Sequence, residues 1–112
     1  MTIRDLTEKR SSAVSELTHL EGHVLPRANE YVARARHCLA TAEKNLSAVS
    51  DTTHRPQLER ELDIARKNVA TGKADVSKWQ KQVDAQKAEL ASLNEQIKEA
   101  RMSLRSVPEV VG

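Results

Sequence analysis

From Pro56 onward the apolar residues of this chain climb a ladder of alternating four- and three-residue steps: Leu58, Leu62, Ala65, Val69, Gly72, Val76, Trp79, Val83, Gln86, Leu90, Leu93, Ile97, Ala100, Leu104 and Val107. Only Gln86 among them is polar. A mean period of about 3.5 residues keeps the ladder on one narrow stripe of a helix and predicts left-handed supercoiling about a partner helix. The positions in heptad step with Leu62 (Val69, Val76, Val83, Leu90, Ile97, Leu104) are all large aliphatics, whereas the alternate positions include Ala65, Gly72 and Ala100. A stripe this thin can be buried only against another helix.

The first half of the chain supplies one. Leu25, Ala28, Val32, Ala35, Leu39, Ala42, Leu46 and Val49 repeat the pattern, and upstream of them Ile3, Leu6, Arg10, Ala13, Leu17, Leu20 and Val24 form a second seam. The two seams differ by one residue of phase at Val24/Leu25. That slip lies in Gly22-His-Val-Leu-Pro26, where Pro26 lacks an amide hydrogen and its ring crowds the carbonyl of Gly22. A kink near Gly22 to Pro26 is expected, with a break into two helices as the alternative. Ser50-Asp-Thr-Thr-His-Arg-Pro56 has the side chains that end one helix and cap the next, with Pro56 suited to the first helical position. The expected fold is all-α: one long antiparallel α-helical hairpin, a coiled coil, forming a single domain over residues 1–112. Arm one spans about 3–50, the turn about 51–56, arm two about 57–105, with a frayed tail at 106–112; each arm would run roughly 70 Å.

Pairing residues whose numbers sum to about 111 sets Leu39 against Gly72, Val32 against Trp79 and, beyond the kink, Leu6 against Leu104. Nearly every layer then opposes a large residue to a small one. A register one heptad shorter also alternates and tightens the loop, but strands Leu104 and Val107. The longer register is the expectation carried forward.

Composition agrees with helices and narrows the function. Among 112 residues there are three Gly, three Pro, no Phe, and only Tyr31 and Trp79 as aromatics. Eighteen basic and sixteen acidic groups leave a net charge of +2, mixed along the whole chain, without the basic block of a strong nucleic-acid binder. No apolar run suggests a signal or a membrane span, and the single Cys38 cannot close an internal disulfide, so a cytoplasmic setting without membrane contact is expected.

Sites of chemistry are few. His19 and His23 stand four apart on arm one, but the order His-Leu-Glu-Gly-His departs from the zincin motif and no third ligand is near, so they read as surface histidines. Cys38 beside His37 is no catalytic dyad, because adjacent helical residues do not face each other. No phosphate loop or nucleophile elbow occurs, and neither an enzyme, a cofactor nor a metal is expected. The informative surface is the mid-stem. In the longer register Tyr31 and Trp79 share one level, flanked by Arg34 and Arg36 on one arm and Lys73 and Lys78 on the other. On the plainer reading Trp79 is a core knob and the charges are a solvated face. A further stripe, Val24, Tyr31 and Cys38, widens the apolar face of arm one beyond what one partner covers. The candidate partner-binding set is therefore Val24, Tyr31, Arg34, Arg36, Cys38, Lys73, Lys78 and Trp79. The expected role is a non-enzymatic protein-interaction module (adaptor, assembly factor, chaperone or inhibitor), dimerising into a four-helix assembly and binding a protein with an acidic surface. RNA or DNA binding through the mid-stem, and a structural spacer or filament component, are the alternatives.

Overall fold

The computed structural model describes residues 2–106. It consists of helix α1 (Ile3–His19), a π turn (Leu20–Val24), helix α2 (Leu25–Ala48) and the 52-residue helix α3 (Arg55–Ser106), with no strand among the described residues. At 1.5 Å per residue α3 alone is about 78 Å long. The molecule is a rod of two helical arms, α1 and α2 forming the first and α3 the second. The frayed tail expected at 106–112 lies, after Ser106, outside the described residues.

Local chemistry sets the ends. Thr2 is extended, its Oγ1 accepts the Asp5 N–H at 3.1 Å, and the Asp5 carboxylate accepts the Thr2 N–H at 3.2 Å, a reciprocal capping box that starts α1. At the other end Val49 turns extended and stops α2. Asp51 then folds the connection by accepting the Thr53 N–H at 2.9 Å and contacting the His54 ring at 3.1 Å. Pro56 is the second residue of α3 rather than the first, still inside the turn whose amide hydrogens have no helical acceptor.

The chain does not break at Gly22 to Pro26. Leu20, Val24 and Leu25 all keep right-handed helical angles, and the Leu25 N–H reaches back five residues to the Leu20 carbonyl. A π turn inserts one residue into an α-helix, which is the size of the phase slip between the two seams. Pro26 would have left the Gly22 carbonyl without its α-helical donor, so the wide turn falls where the ladder of hydrogen bonds is already interrupted.

The ladder of α3 is the packed stripe. Every position from Leu58 to Ala100 is buried or half-buried, and no other side chain of α3 with a described environment is. Near the loop, Ala42, Leu62 and Ala65 form a buried cluster with Leu39 and Leu46 against it. Toward the chain ends Leu6, Ala13, Leu93 and Ile97 form another, with Leu90 and Ala100. The arms therefore run antiparallel, and an ion pair between Glu21 and Lys87 at 3.7 Å links them.

The register differs from the expected one. A Cβ built on Gly72 would stand 2.9 Å from the Val32 Cγ2 and 2.9 Å from the Tyr31 Cδ1, so Gly72 receives Val32 and not Leu39. Paired numbers thus sum to 104, which sets Leu39 by Ala65 and Ala42 by Leu62, as the cluster near the loop requires. Beyond the π turn they sum to 103, bringing Leu6 to Ile97 and Ala13 to Leu90. This is the shorter register. Its connection is only Val49–His54, and its cost is Leu104, which is 64% exposed beyond the reach of arm one.

Candidate functional site

His19, His23, Arg27, Tyr31, Arg34, Cys38, Thr41 and Asn45 each precede a seam position of arm one by a single step and so share a flank. Along α2 this flank forms one wall of an open groove of about 760 Å³. Tyr31, Arg34, His37, Cys38, Thr41 and Asn45 line that wall, and Glu61, Ile64 and Asn68 of α3 line the other. Its floor is Ala35, Ala42 and Ala65. Small seam residues bring the helices close but leave no side chain to fill the space beside them, so the groove follows from the layers chosen for this half of the rod.

Two apolar groups stand open to it. Tyr31 is 43% exposed and Ile64 is 57% exposed. The Tyr31 ring lies over the bare backbone of Gly72, its Cδ1 and Cε1 at 2.9 and 3.1 Å from where a Cβ would sit. One edge of the ring is thereby fixed and the rest faces solvent. Ile64 was not among the sequence candidates, although a signal existed: it is the one β-branched aliphatic of α3 that lies off the ladder between Leu58 and Leu104.

The eight sequence candidates do not form one patch. Tyr31, Arg34 and Cys38 line the groove, and Cys38 is a free, exposed thiol. Arg36 and Lys73 meet instead on the opposite flank, around a smaller concavity of about 210 Å³ that also touches Asn29 and Val76. Trp79 sits seven residues beyond Gly72, about 10 Å along α3, so it does not share a level with Tyr31. The shorter register carries it down to Leu25, beside the half-buried Val24. Trp79 is itself half-buried, and the Lys78 ammonium lies 4.8 Å from its ring centroid, a cation–π contact. The expected coincidence of the two aromatics depended on the longer register and fails with it.

The charges of the groove are mixed, Arg34 on one wall and Glu61 on the other. The resolved pKa shifts lie elsewhere, at the helix ends. Asp51 is held below its ordinary value first by the Thr53 amide and then by the His54 ring, and Asp5 first by the Thr2 amide and then by the Thr2 hydroxyl. No three His, Cys, Asp or Glu residues converge on a point among the described residues. The rings of His19 and His23, on the same flank as the groove, have centroids 5.7 Å apart. Among the described residues no helix is long and apolar enough to cross a membrane. Comparison with protein-family models, curated proteins and solved structures gives no match to this chain, so its own residues carry the functional reading.

Proposed function

We propose that this chain is a non-enzymatic protein-interaction module, an antiparallel coiled-coil hairpin whose binding face is the flank of arm one along α2. The supporting observation is the open groove with Tyr31 and Ile64 exposed beside a seam that is already closed. Apolar side chains left out of the seam at helical spacing fit a further helix laid alongside, read by anchors at one-turn and two-turn steps. Aromatic and Arg residues carry most of the energy of such contacts, which gives Tyr31 and Arg34 the leading roles.

The first occupant of that face is a second copy of the chain, arm one against arm one, giving a four-helix assembly. A seam built on Ala35, Ala42, Ala65 and Gly72 buries little apolar area per residue, and a second pair of helices adds what the thin seam lacks. Arg27 and Arg34 on the flank favour acidic groups on a heterologous partner, which would compete for the same groove. Sedimentation equilibrium at tens of micromolar tests the reading. Wild type is expected above one chain mass, and Tyr31→Ala with Ile64→Asp is expected to be monomeric with unchanged helicity. A wild type that stays monomeric, or a variant that associates as well as wild type, overturns it. Affinity for a single-stranded oligonucleotide that falls steeply with salt and depends on Arg34 and Arg36 would support nucleic-acid binding in its place.

A further inference from the structure

We propose that His19 and His23 are one half of a divalent transition-metal site, completed by the same two residues of a second copy. His19 ends α1 and His23 lies one helical turn on, within the π turn, both exposed, with ring centroids 5.7 Å apart. A nitrogen bound at about 2.0–2.1 Å puts its ring centroid roughly 3.2 Å from the ion, so two rings on one tetrahedral ion stand about 5.2 Å apart. The observed spacing differs from that by about half an ångström, within reach of small side-chain rotations.

The surroundings leave both rings free for such a role. Among the described residues neither imidazole takes part in a hydrogen bond or ion pair, and beyond its chain neighbours and the local helix backbone nothing lies within 4 Å of the Cβ position of Gly22. Glu21, the acid between them, pairs with Lys87 across the seam at 3.7 Å. One copy therefore offers two neutral nitrogen ligands, and the described residues offer no third. Closed zinc sites take four. Pairing across a two-fold axis converts two ligands into four, because in such an interface each residue meets its own counterpart set. Imidazole ligands select Zn²⁺, Ni²⁺ or Cu²⁺ over Mg²⁺ and Ca²⁺, which prefer oxygen.

The site shares its flank with the groove but rests on different side chains, so the two can be separated. Equilibrium dialysis and sedimentation of the full chain, with ZnCl₂ as probe and MgCl₂ as control, should show one Zn²⁺ per two chains. Dimer formation should be at least tenfold tighter in zinc than in chelator. His19→Ala and His23→Ala should each abolish the zinc effect while circular dichroism shows intact helix, as both side chains are exposed. Tyr31→Ala should weaken association in chelator yet leave the zinc-driven step in place. Zinc bound at one per chain without a change in mass, or a zinc response unaltered by both His substitutions, overturns the proposal. Loss of association in chelator alone speaks only against the groove.

Discussion

The two halves of the rod use the same ladder with different residues, and they are closed to different degrees. Toward the chain ends Val83 is 1% exposed, Ile97 2%, Leu20 and Leu93 4% each and Leu6 5%, with only the small Ala13 at 7%; near the loop Val32, Ala35, Ala42, Leu62, Ala65 and Val69 all retain 7 to 8%. Large aliphatics predominate in the buried layers of the first half, with Ala13 the one small buried residue, whereas Ala and Gly alternate with them in the second. Two helices cannot surround a side chain, so sealing it depends on how far its neighbours along the seam reach over it. The half with short neighbours brings the helices together and opens the groove, and the half with long neighbours is expected to carry more of the stability.

The largest expected effect tests that division. Ile97→Ala removes a sealed side chain and should destabilise by about 2 to 5 kcal/mol in urea unfolding, while Leu39→Ala, half-buried above Ala65, should cost roughly half as much. Equal losses would mean that the two halves share the load. A smaller effect separates the two helical glycines. Gly72→Ala gains up to about 1 kcal/mol of helix propensity but drives a methyl group to within 2.9 Å of Val32 and Tyr31, so a net loss of about 1 to 3 kcal/mol is expected. Val32 cannot turn aside cheaply, since a β-branched residue in a helix has essentially one rotamer. Adding Val32→Ala should make the Gly72→Ala change less costly, and a double-mutant cycle without coupling would contradict the shorter register. Gly22→Ala meets open space and should stabilise by up to about 1 kcal/mol.

These sites also show what the sequence made legible. In a two-helix rod the residue period and the buried stripe are one and the same, so spacing alone located every buried or half-buried residue of α3. Register was hidden for the same reason: a shift of seven residues returns large to small in nearly every layer, and the choice passes to the ends. There the short connection and the packing of Leu46 near the loop outweigh the cover that Leu6 would have given Leu104. The slip at Val24/Leu25 was visible as a change of phase, but its form as a π turn depends on backbone bonding that side-chain spacing does not encode. The capping box is legible in Thr2-Ile-Arg-Asp5, a hydroxyl followed three residues later by a carboxylate. The groove was half legible: Tyr31, Arg34 and Cys38 follow from arm one, but Ile64 joins them only once the register is known.

The smallest expected effect compares the two ends of the rod. Asp51 shapes the loop through the Thr53 amide, and Asp5 closes the start of α1 through the Thr2 amide; both carboxyls are held below their ordinary value of 3.8. A carboxyl depressed in the folded state binds its proton more readily when unfolded. Its contribution is therefore complete above about pH 4 and is lost as pH falls through the lower folded value, so stability should decline with acid in that window. Asp51→Asn keeps an oxygen for the Thr53 amide but removes the titrating charge, and should flatten the acid limb at the loop end; Asp5→Asn should do the same where α1 begins. Carboxyl-carbon NMR titration reads each site directly, with midpoints expected below those of the same residues in urea. A midpoint at or above the unfolded one would mean that the amide contact at that end does not hold the charge. Amide exchange compares the ends within one sample: Asp51→Asn should hasten exchange at Thr53 and leave Asp5 protected, because the two carboxylates stand at opposite ends of the first arm and share no partner.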